Sequence, residues 1–288
     1  MNNSPIGFIG LGNMGAPIAA NLAGAGWSLT VHDAAGTRAR APADTAVAES
    51  VAEVASQATT ILLSLPDSAV VDAVAETIVT APSAVTKRVV DTSTIGIAQA
   101  RRIHDKLAAA GIEYVDAPVS GGVAGARAGT VSIMVSSSAA TLDELRPMLE
   151  AFAGNVFHVG VVPGQGQAMK LLNNFLSGTA MAATSEAVAF GESQGLGLAT
   201  MLDVLNVSTG RNTATADKFV NRILTETYDA GFSCVQMNKD LGLYREGLAE
   251  SGGADPVSGA VAGIWRRFLE ASVNADITHI YPFIKNKN

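Results

Sequence analysis

Gly10-Leu11-Gly12-Asn13-Met14-Gly15 directly follows a short apolar run and precedes an alanine-rich stretch. Three glycines at this spacing, between a strand and a helix, do three different things. The first permits a tight turn, the second lets the backbone approach a pyrophosphate, and the third lets helix and strand pack closely. The helix N-terminus then offers free N–H groups and the positive end of its dipole to the phosphates. Glycine turns of this pattern are common; its strand–turn–helix setting is what makes it read as a dinucleotide site. Asp33 ends the next apolar run, about 20 residues past the glycines, where a carboxylate accepts from ribose hydroxyls and repels a 2′-phosphate. An ordinary strand-end turn would also carry an aspartate there. Arg38 and Arg40 follow closely and are of the type that accommodates a 2′-phosphate. NAD is favoured over NADP on these residues.

Two further groups are of the right type for chemistry. Lys170 and Asn174 stand four apart in a helical stretch, so they share one face, with Asn173 flanking. A lysine beside a reacting carbon and oxygen serves as general acid/base when burial brings its pKa towards neutrality. From spacing alone, an exposed helix stripe is the simpler reading. Ser120-Gly121-Gly122 sets a hydroxyl beside two backbone amides that no side chain screens, which suits an anion-binding nest for a carboxylate. A plain turn reads the same way.

The elements that must position these residues fall into two regimes. Ile6–Ile9, Leu29–Val31, Thr60–Leu65 and Val89–Asp91 are short apolar runs bounded by Gly, Pro, Asp or Ser, and read as buried strands. Further strands are expected at Glu113–Val115, Val131–Val135 and Val156–Val159. Helices over Asn13–Ala23, Ala69–Val79 and Ala98–Ala110 lie between them, an alternation that implies a mostly parallel sheet covered on both faces. After Pro163 the pattern becomes helical: one helix of about 30 residues, about 45 Å long, over Gly166–Gly195, then Asn238–Glu250 and Pro256–Ala271. The expected fold class is α/β: an N-terminal Rossmann domain with a doubly wound sheet (1–163), then an all-α domain (164–288), with the long helix between them. The closing Lys-Asn-Lys-Asn is expected to be a frayed polar tail.

Composition excludes several functions. The 288 residues carry 19 Lys+Arg against 26 Asp+Glu, a formal charge of -7, which argues against nucleic acid or anionic membranes as partners. With 48% hydrophobic and 16% charged residues, disorder does not describe the chain. The single cysteine, Cys234, excludes an intrachain disulfide framework and any site built on several thiolates. His32, His104, His158 and His279 lack the paired spacing of a metal site and read as structural, so no metal is expected. No apolar run reaches the roughly 18–20 residues of a membrane span. The opening MNNSPIGFIG has no basic region before its apolar run and does not read as a secretory signal. A cytoplasmic protein is expected.

Taken together and in order, the opening glycine motif, Asp116-Ala117-Pro118-Val119-Ser120-Gly121-Gly122, the segment from Gly164 to Asn174, and Lys239-Asp240-Leu241-Gly242-Leu243 resemble the signatures of the β-hydroxyacid dehydrogenase family. The resemblance covers residues 6 to about 245. It implies hydride transfer between a nicotinamide dinucleotide and a short 3-hydroxy acid or semialdehyde, with Lys170 as general acid/base and no metal. It implies that Ser120, Gly121 and Gly122 contact the substrate carboxylate and that Asn174, with Asn173 beside it, holds the substrate. It places Leu65, Pro66, Thr94 and Lys239 at the cofactor, beside Gly10, Leu11, Gly12, Asn13, Met14, Gly15 and Asp33. The partner is then a small carboxylate-bearing substrate. Arg211, Asn212, Phe232 and Gln236 are candidates for choosing it, and the apolar helices suit a homodimer or homotetramer. An imine reductase shares this architecture but usually differs at the lysine. A phosphogluconate dehydrogenase is usually longer, and a non-catalytic dinucleotide sensor has no use for the Lys170–Asn174 pair.

Overall fold

The structure is a computed structural model and describes residues 5–286. The first four residues, where the opening segment begins, and the last two of the closing tail lie outside the described residues. The chain divides into two compact units, Met1–Lys170 and Leu171–Asn288, so the division falls within the long helix that begins just after Pro163.

Among the described residues the first unit is built on nine strands: β1 (Ile6–Ile9), β2 (Leu29–His32), β3 (Ala46–Val47), β4 (Thr60–Leu63), β5 (Arg88–Asp91), β6 (Glu113–Asp116), β7 (Val119–Ser120), β8 (Val131–Ser136) and β9 (Ala153–Gly160). From β3 through β2, β1, β4 and β5 to β6 every pairing is parallel. β8 then runs antiparallel to β6 and β7, and β9 runs parallel to β8. Ile133 pairs with Val119 on one side and Val156 on the other, so β7 and β9 take opposite edges of β8. β6 and β7 form one line interrupted at Ala117-Pro118, because a proline has no N–H to give the ladder.

Alternation along the strands sends side chains to two cores. Ile6, Phe8, Leu62, Val90 and Val115 pack on one face with Ile18 and Leu22 of α1 (Gly15–Gly24). Ile9, Ile61, Leu63, Val89 and Tyr114 pack on the other with α2 (Val51–Gln57), α3 (Ser68–Thr80) and α4 (Ile97–Ala109). Two short helices follow, α5 (Gly122–Ala128) and α6 (Ala139–Leu149). The expected strands and crossover helices are present, with shifted ends. β4 stops two residues short of Leu65, whose N–H turns away to Ser93 Oγ at 2.9 Å. Asn13 and Met14 lie in the turn before α1, not inside it.

α7 (Gln165–Ser193) has 29 residues. The second unit continues it and adds α8 (Leu198–Asn206), a ten-residue π-helical stretch at Ala214–Ile223, α9 (Cys234–Glu250), α10 (Pro256–Ala271) and α11 (Ile280–Lys285). Trp265 is fully buried at the centre and donates from Nε1 to Gly178 O at 3.1 Å. Cys234 is buried in the same core, as a small apolar residue would be. α9 starts four residues before the expected Asn238, because Ser233 and Gln236 form a capping box there. The frayed tail is corrected at Lys285, which closes α11 and pairs with Glu192 at 2.9 Å. Among the described residues, no helix is long and apolar enough to cross a membrane.

Candidate active site

Parallel strands share one carboxyl edge, and the loops that leave it form the ligand crevice of open α/β sheets. Gly10–Gly15 follow β1, Asp33 follows β2, Leu65 and Pro66 follow β4, and Thr94 follows β5. β7 runs in the sense of β6, so Ser120 ends at the same edge.

The three glycines are distinct. At Gly10 φ is +98°, and a Cβ there would stand 2.3 Å from Ser64 O. At Gly15 a Cβ would stand 1.8 Å from Gly10 O, so helix and turn touch backbone to backbone. At Gly12 a Cβ would meet nothing within 4 Å. Gly12 therefore leaves space in front of the turn rather than relieving a clash behind it. Among the described residues no side chain caps α1; the Ala16 N–H already donates to Gly12 O and Pro17 has no N–H, so what the helix start offers an anion is chiefly the positive end of its dipole. That cradle fits the pyrophosphate of a dinucleotide.

Asp33 closes the other end of this site. Its Oδ2 accepts the Leu11 N–H at 2.6 Å and its Oδ1 the Ala35 N–H at 2.8 Å, so the carboxylate is anchored to the glycine turn itself. Arg40 pairs with Asp33 at 3.3 Å, and Arg38 turns away to Glu49 at 2.9 Å. An anchored negative charge at this position disfavours a 2′-phosphate.

Behind the loops lies a buried polar network that sequence reading missed. Asp91 and Asp116 are register partners at the ends of β5 and β6, and both are fully buried. Asp91 accepts from Ser93 N at 2.9 Å and from Tyr114 Oη at 3.2 Å. Burial, reinforced by the Asp116 charge, pushes the Asp91 carboxyl up to about 7 against the lowering effect of these bonds. Burial also raises Asp116, opposed by bonds from Gln167, Gly164 and Gly166. In sequence Asp116 is only the first residue of a motif. Nothing local sets it apart beyond a carboxylate following Tyr114 and Val115; once buried, its charge is too costly to leave unbonded.

Lys170 lies on α7 three residues after Gln167 and is 8% exposed, so the exposed-stripe reading of this lysine is wrong. Gly121 and Gly122 both have positive φ, +131° and +64°, and a Cβ at Gly122 would meet nothing within 4 Å. Both glycines thus take conformations that side-chain-bearing residues rarely adopt, and the segment opens α5.

In the second unit, Asn174 is buried and donates from Nδ2 to Asp240 Oδ2 at 2.6 Å. Asn173 donates to Asn174 Oδ1 at 3.1 Å, and Lys239 Nζ stands 3.5 Å from Asp240 Oδ1. Asp240 therefore gathers the three residues expected from this unit, and is itself a residue sequence reading left out. Of the substrate-choosing candidates, Asn212 caps the π-helical stretch, accepting from Ala214 N at 2.8 Å, and Gln236 is engaged in the capping box of α9.

Residues 5–160 match the NAD binding domain of 6-phosphogluconate dehydrogenase, and residues 164–284 match the NAD-binding model of NADP-dependent 3-hydroxyisobutyrate dehydrogenase. A probable 3-hydroxyisobutyrate dehydrogenase of Mycobacterium tuberculosis is 35% identical, over 96% of each chain. An NAD-dependent L-serine dehydrogenase of Pseudomonas aeruginosa is 35% identical, over 92% of each chain. The structure of the M. tuberculosis 3-hydroxyisobutyrate dehydrogenase with L-serine superposes with a TM-score of 0.88 at 33% identity, covering 98% of this chain and 99% of that one. The chain belongs to the β-hydroxyacid dehydrogenase family and is an NAD-dependent oxidoreductase of hydroxyacids.

Proposed function

We propose that the protein interconverts a short 3-hydroxy acid and its semialdehyde, with Lys170 as the general acid/base. The observation that carries this reading is a lysine withdrawn from water on α7, on the helix whose first turn is bonded to the carboxyl edge of the sheet. A nicotinamide dinucleotide held by the Gly10–Gly15 turn and Asp33 would supply hydride chemistry at the carbon that bears the oxygen. Lys170 Nζ takes the hydroxyl proton in oxidation and returns it to the carbonyl oxygen in reduction, and its charge steadies the developing alkoxide. Ser120 and the amides of Gly121 and Gly122 seat the carboxylate. Asn174, oriented by Asp240, holds the hydroxyl end, with Asn173 and Lys239 beside it.

L-Serine and 3-hydroxyisobutyrate, the substrates in the relatives' names, share a hydroxyl on C3 and a carboxylate on C1 and differ at C2. The residues proposed to recognise substrate are those for the shared groups. The protein is further proposed to be a homodimer or homotetramer, because α7 exposes Leu172, Leu176 and Phe190 on its surface.

The test is a panel of 3-hydroxy and 2-hydroxy acids assayed with NAD+ and NADP+. Oxidation at C3 is expected, with kcat/KM at least tenfold higher for NAD+, about 1.4 kcal/mol of discrimination. The methyl ester of the best acid should lose roughly 10–150-fold in kcat/KM, the value of a hydrogen bond to a charged group. Preference for 2-hydroxy acids, or equal rates for acid and ester, would overturn the carboxylate seat.

A further inference from the structure

Gln167 stands out because every hydrogen-bonding valence of its side chain is used, in a fully buried position. Nε2 donates to Asp116 Oδ1 at 2.8 Å and to Ser93 O at 3.1 Å. Oε1 accepts from Ile95 N at 2.9 Å and Gly96 N at 3.2 Å. A primary amide has two N–H donors and two acceptor lone pairs, so none remains. The four bonds reach two places in the chain. One is Asp116 at the end of β6. The other is the loop after β5, where Ser93 O and Ile95 N flank Thr94. Ser93 in turn accepts the Leu65 N–H through Oγ at 2.9 Å, which ties in the loop after β4.

The backbone of the same helical turn is held as tightly. Asp116 Oδ2 accepts from Gly164 N at 3.0 Å and Gln167 N at 3.1 Å. At Gly166 a Cβ would stand 2.8 Å from Met134 O and 2.9 Å from the Asp116 carboxyl carbon, so this turn has no room to slide. Lys170 follows Gln167 by three residues, on the same side of α7 and about 4.5 Å along its axis.

We propose that Gln167 is the positioning residue of the active site, a latch that registers Lys170 against the loops carrying Leu65, Pro66 and Thr94. The proposal rests on the acid/base assignment of Lys170. Gln167 touches neither substrate nor cofactor in this role. It sets the rotation and depth of the first turn of α7 relative to the strand ends, and so the place of the lysine relative to the reacting carbon. A misplacement of about 1 Å at a reacting group costs about 100-fold in rate, and without the four side-chain bonds only the Gly166 contact and the backbone bonds to Asp116 hold the turn against such a shift.

The test is a double-mutant cycle on the full-length protein with the best acid of the panel and NAD+. Gln167→Met keeps the volume and removes the four bonds. It should lower kcat 10–100-fold while the dissociation constant for NAD+, read by fluorescence, stays within twofold. Lys170→Ala should lower kcat by about 10²–10⁴. Gln167→Met in the Lys170→Ala background should then cost less than a further twofold, because there is no longer a lysine to place. Hydrogen exchange provides a readout independent of turnover: Gln167→Met should speed exchange in residues 94–96 and 164–170 and leave β1 to β4 unchanged. Asp116→Asn is the second variant, should Gln167→Met not fold. It keeps the acceptor for the Gly164 and Gln167 amides and sets only the side-chain contact donor against donor, and the same pattern is expected. Wild-type kcat in Gln167→Met, fully multiplicative losses, or unchanged exchange at 164–170 would each overturn the latch. Full turnover in Lys170→Ala would overturn the acid/base assignment and the positioning role together. Loss in Lys170→Ala beside normal turnover in Gln167→Met would overturn the positioning role alone.

Discussion

Asp91 and Asp116, two carboxylates on adjacent strands and both out of water, are costly to bury. Asp91 holds a proton up to about pH 7 because burial outweighs its bonds to Ser93 and Tyr114. In the unfolded chain an aspartate loses its proton near 3.9. Between these values the folded protein binds more protons than the unfolded one. The stability Asp91 contributes is therefore complete below about pH 4 and is lost as pH rises through about 7. Three pH units at about 1.4 kcal/mol each set an upper limit of about 4 kcal/mol. Chemical denaturation at pH 5 and pH 8 should accordingly show lower stability at pH 8, and Asp91→Asn should shrink that difference. An unchanged pH dependence in the variant would mean that other groups carry it. Asp116 is shifted in the same direction but keeps three bonds from Gly164 and Gln167; it reads as a structural anchor. Neither residue announces this in sequence, because each is simply an aspartate at the end of an apolar run.

At the scale of elements, the turn between β1 and α1 separates two roles that one motif conceals. Gly15 is required by packing, since a methyl group there would meet Gly10 O at 1.8 Å. Gly12 is not required by packing, since a methyl group there would meet nothing described in the protein within 4 Å, and its proposed role is toward the ligand. Gly15→Ala should lower the melting temperature by several degrees, the effect of overpacking by about 1–3 kcal/mol. Gly12→Ala should leave melting nearly unchanged without NAD+ but weaken NAD+ binding at least tenfold. Titration and melting of both variants check this, and equal destabilisation by both would refute the division of labour. The boundaries of elements were legible where local chemistry marked them. α10 begins at Pro256, a residue suited to the first turn of a helix, and ends at Ala271, as its pattern suggests. α9 was read four residues short because its start depends on Ser233 and Gln236 bonding each other, not on an apolar period.

For the whole molecule, two compact units are joined through one helix, each with its own core. The second unit leaves large apolar side chains in water: Leu176 is 60% exposed and Phe190 67% exposed, both on α7, and Val257 of α10 is 56% exposed. Apolar side chains exposed in this way suit an association surface, and the proposed homo-oligomer would bury them. Leu176→Glu combined with Phe190→Glu should shift the protein to monomer in sedimentation, with the fold retained by circular dichroism. An unchanged sedimentation coefficient would place the interface elsewhere.

Read alone, the sequence determined the fold class, the dinucleotide cradle and the placement of Lys170 and Asn174 on one helix, because each of these is written locally. A glycine triplet, a strand period and a helical spacing are relations between residues close in the chain. Tertiary structure decided the rest. It buried Lys170 where spacing alone suggested exposure, anchored Asp33 on the glycine turn 22 residues away, and bound Gln167 to a loop 72 residues away and to Asp116. It also placed Asp240 against Asn174, across 66 residues of chain. Those contacts are made by polar groups that lose water together on folding, and a buried polar group must find its partner wherever the fold brings one. Which partner that is depends on the sheet order and the packing of α7, not on any neighbour in sequence.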